Sequence, residues 1–270
     1  MSRYQKRFLE VRKRNEIAFV PFVVLGDPDY AASKEIIRVL VGSGADVLEL
    51  GLPFSDPIAD GKTIQAADQR SISSGMNTLK AFELIKFARS LDRDIPIGLL
   101  VYFNLVFSLG IEEFYRMAKA AGVDGILIAD MPIEESGQVL GVAEKQGIDQ
   151  IFLIAPTTDN KRAKAILSKS RGFAYLVSLT GITGERKKLS PEALSLVRRV
   201  KKFSKLPLCL GFGISNSEHV RMVKASKADG VIVGSAIVKL VEKNSLDRQR
   251  MLSEIRRFVG ELKNATRKSA

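Results

Sequence analysis

Val47-Leu48-Glu49-Leu50-Gly51 decides the fold. It is a short, nearly continuous apolar run, the pattern of a parallel strand covered on both faces. Its one polar member is a carboxylate, and burying an ionised carboxylate is strongly unfavourable. Strand period two puts Val47 and Glu49 on one side and Leu48 and Leu50 on the other. In a closed barrel Glu49 then points inward near the strand's C-terminal end, where catalytic groups of such barrels stand. The run leads directly into Leu52-Pro53-Phe54-Ser55-Asp56-Pro57-Ile58-Ala59-Asp60-Gly61, a loop with two further carboxylates.

Outward from this run, short apolar stretches recur at 19–25, 97–102, 125–130, 151–155, 173–178, 208–212 and 230–234, which makes eight strand candidates. Amphipathic stretches fill the gaps. Ile36, Ile37, Leu40 and Val41 form one stripe, ended by Gly42 and Gly44. Phe114, Met117 and Ala118 form another, and Ser190-Pro191 reads as an N-cap followed by the first helical residue. Tyr4, Phe8 and Val11 predict an extra N-terminal helix that plugs the barrel floor. Leu252, Ile255, Val259 and Leu262 predict an extra C-terminal one, with 264–270 as a frayed tail. Alternation of strands with helices means βα units. Eight of them in 270 residues favour an α/β fold of the (β/α)8 TIM-barrel type over an open doubly wound sheet, since such a barrel needs about 250 residues. No Gly/Ser-rich or Pro-rich linker divides the chain, so 1–270 is expected to be one domain.

Composition narrows the function class. Hydrophobic residues make up 46% of the chain, enough for a full core, yet no apolar stretch reaches the ~20 residues of a membrane span. No apolar segment follows the basic N-terminus, so no signal peptide is expected. The single cysteine, Cys209, excludes an internal disulfide and a thiolate metal cluster, and Leu208-Cys209-Leu210 reads as a buried inert thiol. The expectation is a soluble cytoplasmic protein. A net charge of +12 invites a nucleic-acid reading, but there is no Trp, no reader motif and no interleaving of aromatics with the basic clusters. Solvated helix faces account for the charge, and a basic field would also attract an anionic substrate.

The strongest binding signal is in the last quarter. Gly211-Phe212-Gly213-Ile214-Ser215 follows the seventh strand, and Gly234-Ser235-Ala236 ends the eighth and opens a helix. Barrels of this type bind phosphate with these two loops and a helix N-terminus. Each glycine alone could simply make a tight turn; two at successive strand ends favour phosphate. The segment 178–188, small and polar and then basic, reads as a mobile lid or as an ordinary connection, with Thr183 reaching inward in the first case. Glu49 could be a general acid or base raised by burial, or a structural carboxylate paired to a buried cation. The strand cores contain no Arg or Lys, which favours the first. Asp60 could act chemically or could cap the helix that starts near Gly61, and Asp56 could be a turn residue. Tyr102 and Tyr175, with Phe22, Leu100, Leu127, Phe212 and Ile232, could line an aromatic pocket or be plain core. His219 has no partner cluster, so no metal site is assigned.

These residues resemble one family. The stretches at 19–28, 48–61, 98–104, 129–135, 180–184, 211–215 and 234–238 closely resemble the tryptophan synthase alpha subunit, in order and over essentially the whole chain. The resemblance implies a lyase that cleaves indole-3-glycerol phosphate to indole and glyceraldehyde 3-phosphate without a cofactor. It implies that Glu49 acts as acid/base at the indole carbon bearing the glycerol chain, and that Asp60 contacts the indole N–H. It implies phosphate on Gly184, Gly213, Gly234 and Ser235, with Tyr175 and Thr183 enclosing the substrate. It also implies a pyridoxal-phosphate-dependent beta subunit as partner, in an alpha2beta2 tetramer, with no role for nucleic acid or membrane. The 53–60 and 180–188 loops would communicate with that partner. Lys62 departs from the family, where many members carry proline, and 185–188 is unusually basic. Three other readings stay open at this stage: a docking module without catalysis, a different sugar-phosphate barrel enzyme, and a basic RNA-binding surface.

Overall fold

A computed structural model describes residues 1–177, 189–211 and 213–267. Nine parallel strand segments form one sheet: β1 (Ala18–Val24), β2 (Leu48–Gly51), β3 (Ile97–Val101), β4 (Gly125–Ile128), β5 (Asp149–Ile151), β6 (Leu153–Ile154), β7 (Ala174–Val177), β8 (Leu208–Gly211) and β9 (Gly230–Val233). Their order is β5-β4-β3-β2-β1-β9-β8-β7-β6. The two ends of that order, β5 and β6, are separated in sequence only by Phe152. They are two pieces of one strand position, and through it the sheet closes into an eight-position barrel. The eight predicted strands all form. The fifth was expected as one piece over 151–155 and is instead broken at Phe152, whose ring is buried in the outer layer.

The described helices are α1 (Arg3–Lys13), α2 (Tyr30–Gly42), α3 (Lys62–Ser73), α4 (Thr78–Leu91), α5 (Phe103–Leu109), α6 (Ile111–Ala121), α7 (Gly137–Gln146), α8 (Asn160–Lys169), α9 (Pro191–Lys201), α10 (Ser217–Ala225), α11 (Ser235–Lys243) and α12 (Arg248–Ala265). None is long and apolar enough to cross a membrane. Their apolar stripes meet the outward side chains of the strands. Leu48 and Leu50 lie in that outer layer with Ile36, Ile37 and Leu40 of α2, whereas Val47 lies in the separate inner cluster with Phe22, Leu127 and Ile232. Strand alternation therefore sorts β2 as its sequence predicts. Ser190 caps α9 through its side chain, with Pro191 in the first turn.

The floor of the barrel is closed by α1. Tyr4 and Phe8 belong to the inner cluster, and the Tyr4 ring lies 5.5 Å from that of Phe173. Room for Tyr4 comes from glycines: a Cβ on Gly98 would stand 2.8 Å from its hydroxyl, and one on Gly125 2.9 Å from its ring. Of the predicted frayed tail 264–270, residues 268–270 lie outside the described residues, and the part before them is firmer than expected. Helix α12 runs to Ala265, and the buried Thr266 carbonyl accepts from the Ile17 N–H and from Lys224 Nζ.

The same floor carries a repeated device. Gly44-Ala45-Asp46, Gly122-Val123-Asp124 and Lys227-Ala228-Asp229 each place a residue of positive φ two positions ahead of an aspartate that leads into a strand. Each aspartate accepts a backbone N–H at the start of the neighbouring strand: Phe19 to Asp46 (2.8 Å), Ile97 to Asp124 (2.9 Å) and Leu208 to Asp229 (2.9 Å). Each also meets cations. Asp46 pairs with Lys263 (2.6 Å) and Arg14 (3.2 Å), Asp124 with Arg89 (2.6 Å) and Arg3 (2.8 Å), and Asp229 with Lys201 and Arg12. Gly147-Ile148-Asp149 repeats the backbone pattern, but Asp149 Oδ2 is left without a hydrogen bond. Buried acids at the base are thus mostly neutralised, and removing one partner of such a pair is costly. Lys263, itself 6% exposed, also bonds Glu16. Lys263→Met is expected to lower the unfolding free energy by about 3 kcal/mol in urea titration at neutral pH. A loss below about 1 kcal/mol, the scale of an exposed pair, would contradict this role.

Candidate active site

Glu49 occupies the wall of the barrel at the level where β2 is flanked by Phe22 of β1 and Gly98 of β3. It is 3% exposed and its Oε2 makes no hydrogen bond. Among the described residues no cation acts on it. Burial comes first and the charge of Asp60 second in pushing its carboxyl up to about 8. Among the described residues, nothing bears out the alternative of a structural carboxylate paired to a buried cation. A carboxyl so placed is neutral over most of the physiological range and can both give and take a proton.

Asp60 stands at the rim, on the loop between β2 and α3. The alternative that it caps α3 fails: the N-cap is Gly61, and it has no side-chain cap. Instead Asp60 Oδ2 accepts from the Tyr102 hydroxyl at 2.7 Å. The same hydroxyl accepts from the Ala59 N–H at 3.1 Å, and Gln65 Nε2 donates to the Asp60 carbonyl at 2.8 Å. Burial raises the Asp60 carboxyl and the Tyr102 hydrogen bond opposes that rise. Asp56, by contrast, is exposed; its side chain meets its neighbour Ser55 and its carbonyl accepts the Ile58 N–H at 2.8 Å, as befits a turn residue. Lys62 is the exposed first residue of α3. That position suits proline because its N–H needs no helical partner, so lysine there disturbs nothing in the helix.

The predicted wall residues divide in a simple way. Phe22, Leu127, Tyr175 and Ile232 lie together in the inner cluster, with Leu100 packed against it. Tyr102 follows β3 as the residue leading into α5; it reaches the site through Asp60, and its ring stacks on Phe54 at 5.0 Å. Thr183, Gly184 and Phe212 lie outside the described residues, as does the whole of the predicted lid, 178–188. Of the expected phosphate donors, Gly213 takes φ +76°, which favours glycine, and a Cβ there would meet nothing. Gly234 precedes α11 without a side-chain cap, and Ser235 is exposed as its first residue. The Ile237 N–H turns back to the Gly234 carbonyl at 2.8 Å, and the helix N-terminus that Ser235 begins is the kind of end that takes an anion.

Two contributors escaped the sequence. His219 is buried, and its Nδ1 lies 3.1 Å from the Gly213 carbonyl and 3.3 Å from the Ser215 nitrogen, so α10 braces the glycine turn. The available signal was its spacing six residues after Gly213. Asp68 is 4% exposed on α3 and accepts the Phe54 N–H at 3.4 Å. It was concealed by looking like any polar residue of a surface helix.

The raised carboxyl of Glu49 has a thermodynamic signature. Between pH 4.5 and about 8 the folded state holds a proton that the unfolded state has released, so wild-type stability falls with rising pH through this window. Glu49→Gln removes that loss. Its stability relative to wild type is expected to grow from pH 4 to pH 8 by on the order of a few kcal/mol, as read from urea unfolding at several pH values. A difference that does not change with pH would contradict the assignment.

Comparison with known proteins bears directly on this geometry. The sequence profile described as tryptophan synthase alpha chain matches residues 8–267. The tryptophan synthase alpha chain of Methanothermobacter thermautotrophicus is 53% identical over 254 residues, 94% of each chain. The solved alpha subunit from Legionella pneumophila superposes with a TM-score of 0.91 at 32% identity over 98% of both chains. A chain of the tryptophan synthase complex from Pyrococcus furiosus does so with a TM-score of 0.85 at 36% identity, over 92% of this chain and 98% of that one. This barrel, with an acid on its second strand and a second acid on the loop that follows, belongs to the tryptophan synthase alpha chain family.

Proposed function

We propose that the chain cleaves indole-3-glycerol phosphate to indole and glyceraldehyde 3-phosphate in tryptophan biosynthesis, with Glu49 and Asp60 as its catalytic pair. The observation that carries the assignment of roles is Glu49: a buried carboxyl with no cation, near-neutral in its titration, with Asp60 close enough to raise it. The protonated carboxyl gives its proton to the indole carbon that bears the glycerol chain. The ring becomes a positively charged leaving group, and the Asp60 carboxylate at the indole N–H steadies that charge. As the carbon–carbon bond breaks, the hydroxyl on the departing side loses its proton to the Glu49 carboxylate and becomes the aldehyde. The acid is thereby regenerated, so the reaction calls for no cofactor.

Phe22, Leu100, Leu127, Tyr175 and Ile232 supply an apolar wall suited to the indole ring. Gly213, Gly234 and Ser235 offer backbone and hydroxyl donors for the phosphate, with Thr183, Gly184 and Phe212 as further contacts. The partner is a pyridoxal-phosphate-dependent beta subunit. Two large apolar side chains on the catalytic rim support docking there: Ile58 is 84% exposed and Phe107 64%. The chain is taken to work in the cytoplasm as one domain over 1–270.

The test is indole release from indole-3-glycerol phosphate, with and without a beta subunit. Glu49→Gln and Asp60→Asn are each expected to lower kcat by at least ~10²-fold, the scale of a lost acid/base group, while the Gln variant still stimulates the partner. Undiminished release by Glu49→Gln would remove it from the chemistry.

A further inference from the structure

Asp68 is a buried carboxyl that the catalytic scheme leaves unused. It faces inward from α3 and is 4% exposed. Its Oδ1 accepts the Phe54 N–H at 3.4 Å, so it meets the start of the loop whose far end carries Asp60. Among the described residues, the groups acting on its charge are that N–H and two acids, Asp60 and Asp27, with no cation among them. Arg70, two residues along α3, is engaged elsewhere: its guanidinium grips both oxygens of Asp27 at 2.7 and 2.9 Å and reaches Glu242 at 3.2 Å. A buried carboxyl with one long hydrogen bond adds little to stability and costs desolvation. Its position accounts for it better than its energy does.

The contacts form a continuous line. From Asp68 the line passes to the Phe54 backbone, then from the Phe54 ring to Tyr102 by stacking at 5.0 Å with 23° between the planes. It ends in the Tyr102 hydroxyl, which accepts from Ala59 and donates to Asp60 Oδ2 at 2.7 Å. We propose that Asp68 is a positioning residue for Asp60: it anchors Phe54 against α3, which keeps Tyr102 stacked and its hydroxyl aimed at the Asp60 carboxylate. The kinetic consequence rests on the lyase reading above; the structural one does not. Burial and the charge of Asp60 push the Asp68 carboxyl up to about 8. At neutral pH it is mainly the neutral acid, whose carbonyl oxygen asparagine reproduces.

The experiment compares Asp68→Ala, Asp68→Asn, Tyr102→Phe and the Asp68→Ala/Tyr102→Phe double variant. Asp68→Ala is expected to lower kcat for indole release about tenfold with KM changed less than about twofold, and with Tm unchanged or raised. Asp68→Asn recovers most of the lost kcat. In the Tyr102→Phe background the alanine change adds less than about a twofold loss, because both act on Asp60 through one line. Amide hydrogen exchange at Ala59 quickens in Asp68→Ala. Independent, multiplicative losses in the double variant, no recovery by asparagine, or a fall in Tm that tracks the fall in activity would each overturn the proposal. Unaltered exchange at Ala59 would do so as well. The exchange readout needs no turnover, so a wild type that releases no indole would count against the lyase reading while the positioning claim is still decided.

Discussion

A carboxyl with no countercharge among the described residues, on the inner wall of a closed apolar barrel, is the constraint on which the rest depends. Glu49 is there because β2 alternates: Leu48 and Leu50 satisfy the helical layer outside, and the other two positions must face in. Closure of the barrel keeps water from it, the α1 plug seals it from below, and Asp60 adds a like charge from above. Each of these disfavours the ionised form, and together they turn an ordinary glutamate into an acid held near neutrality. The same residue on an open, wetted sheet would be a spent carboxylate.

Two groups of acids lie at opposite ends of the barrel, with Asp27 at the rim, paired to Arg70, and Asp149 at the floor, with an unbonded oxygen, as exceptions to each. At the floor, Asp46, Asp124 and Asp229 each take a backbone N–H and a cation and serve to set the strands. At the rim, Glu49, Asp60 and Asp68 have no cation acting on them among the described residues, and all three titrate upward. The first arrangement stabilises the scaffold, and the second leaves carboxyls held above their ordinary range at the end of the barrel where such folds place their chemistry. The net charge of +12 does not contradict this. Part of it is spent on the floor, by Lys263, Arg89 and Lys201 among others.

What could be read in advance follows from what is local. The eight strands, the stripe of α2, the Ser190 cap and the inward direction of Glu49 depend on period and on near neighbours. Whether Asp60 caps α3 could not be read from sequence, because an aspartate before a helix suits a cap as well as a site. The structure puts Gly61 at the cap and turns Asp60 to the Tyr102 hydroxyl, 42 residues away. Asp68 and His219 were missed for a related reason: each sits on an unremarkable helix and matters only through a loop that tertiary packing brings against it. The break of the fifth strand at Phe152 and the anchoring of Thr266 by Ile17 are likewise long-range outcomes.

The most direct measurement is the titration of Glu49 itself, by isotope-edited infrared spectroscopy of the labelled carboxyl in the ligand-free protein, with Glu49→Gln identifying the band. The account predicts that the neutral carboxyl persists through neutrality and is lost with a midpoint near 8. A midpoint in the ordinary glutamate range, about 4.3, would mean that Glu49 is a solvated or paired carboxylate, and the acid at the centre of the mechanism would have to be another residue.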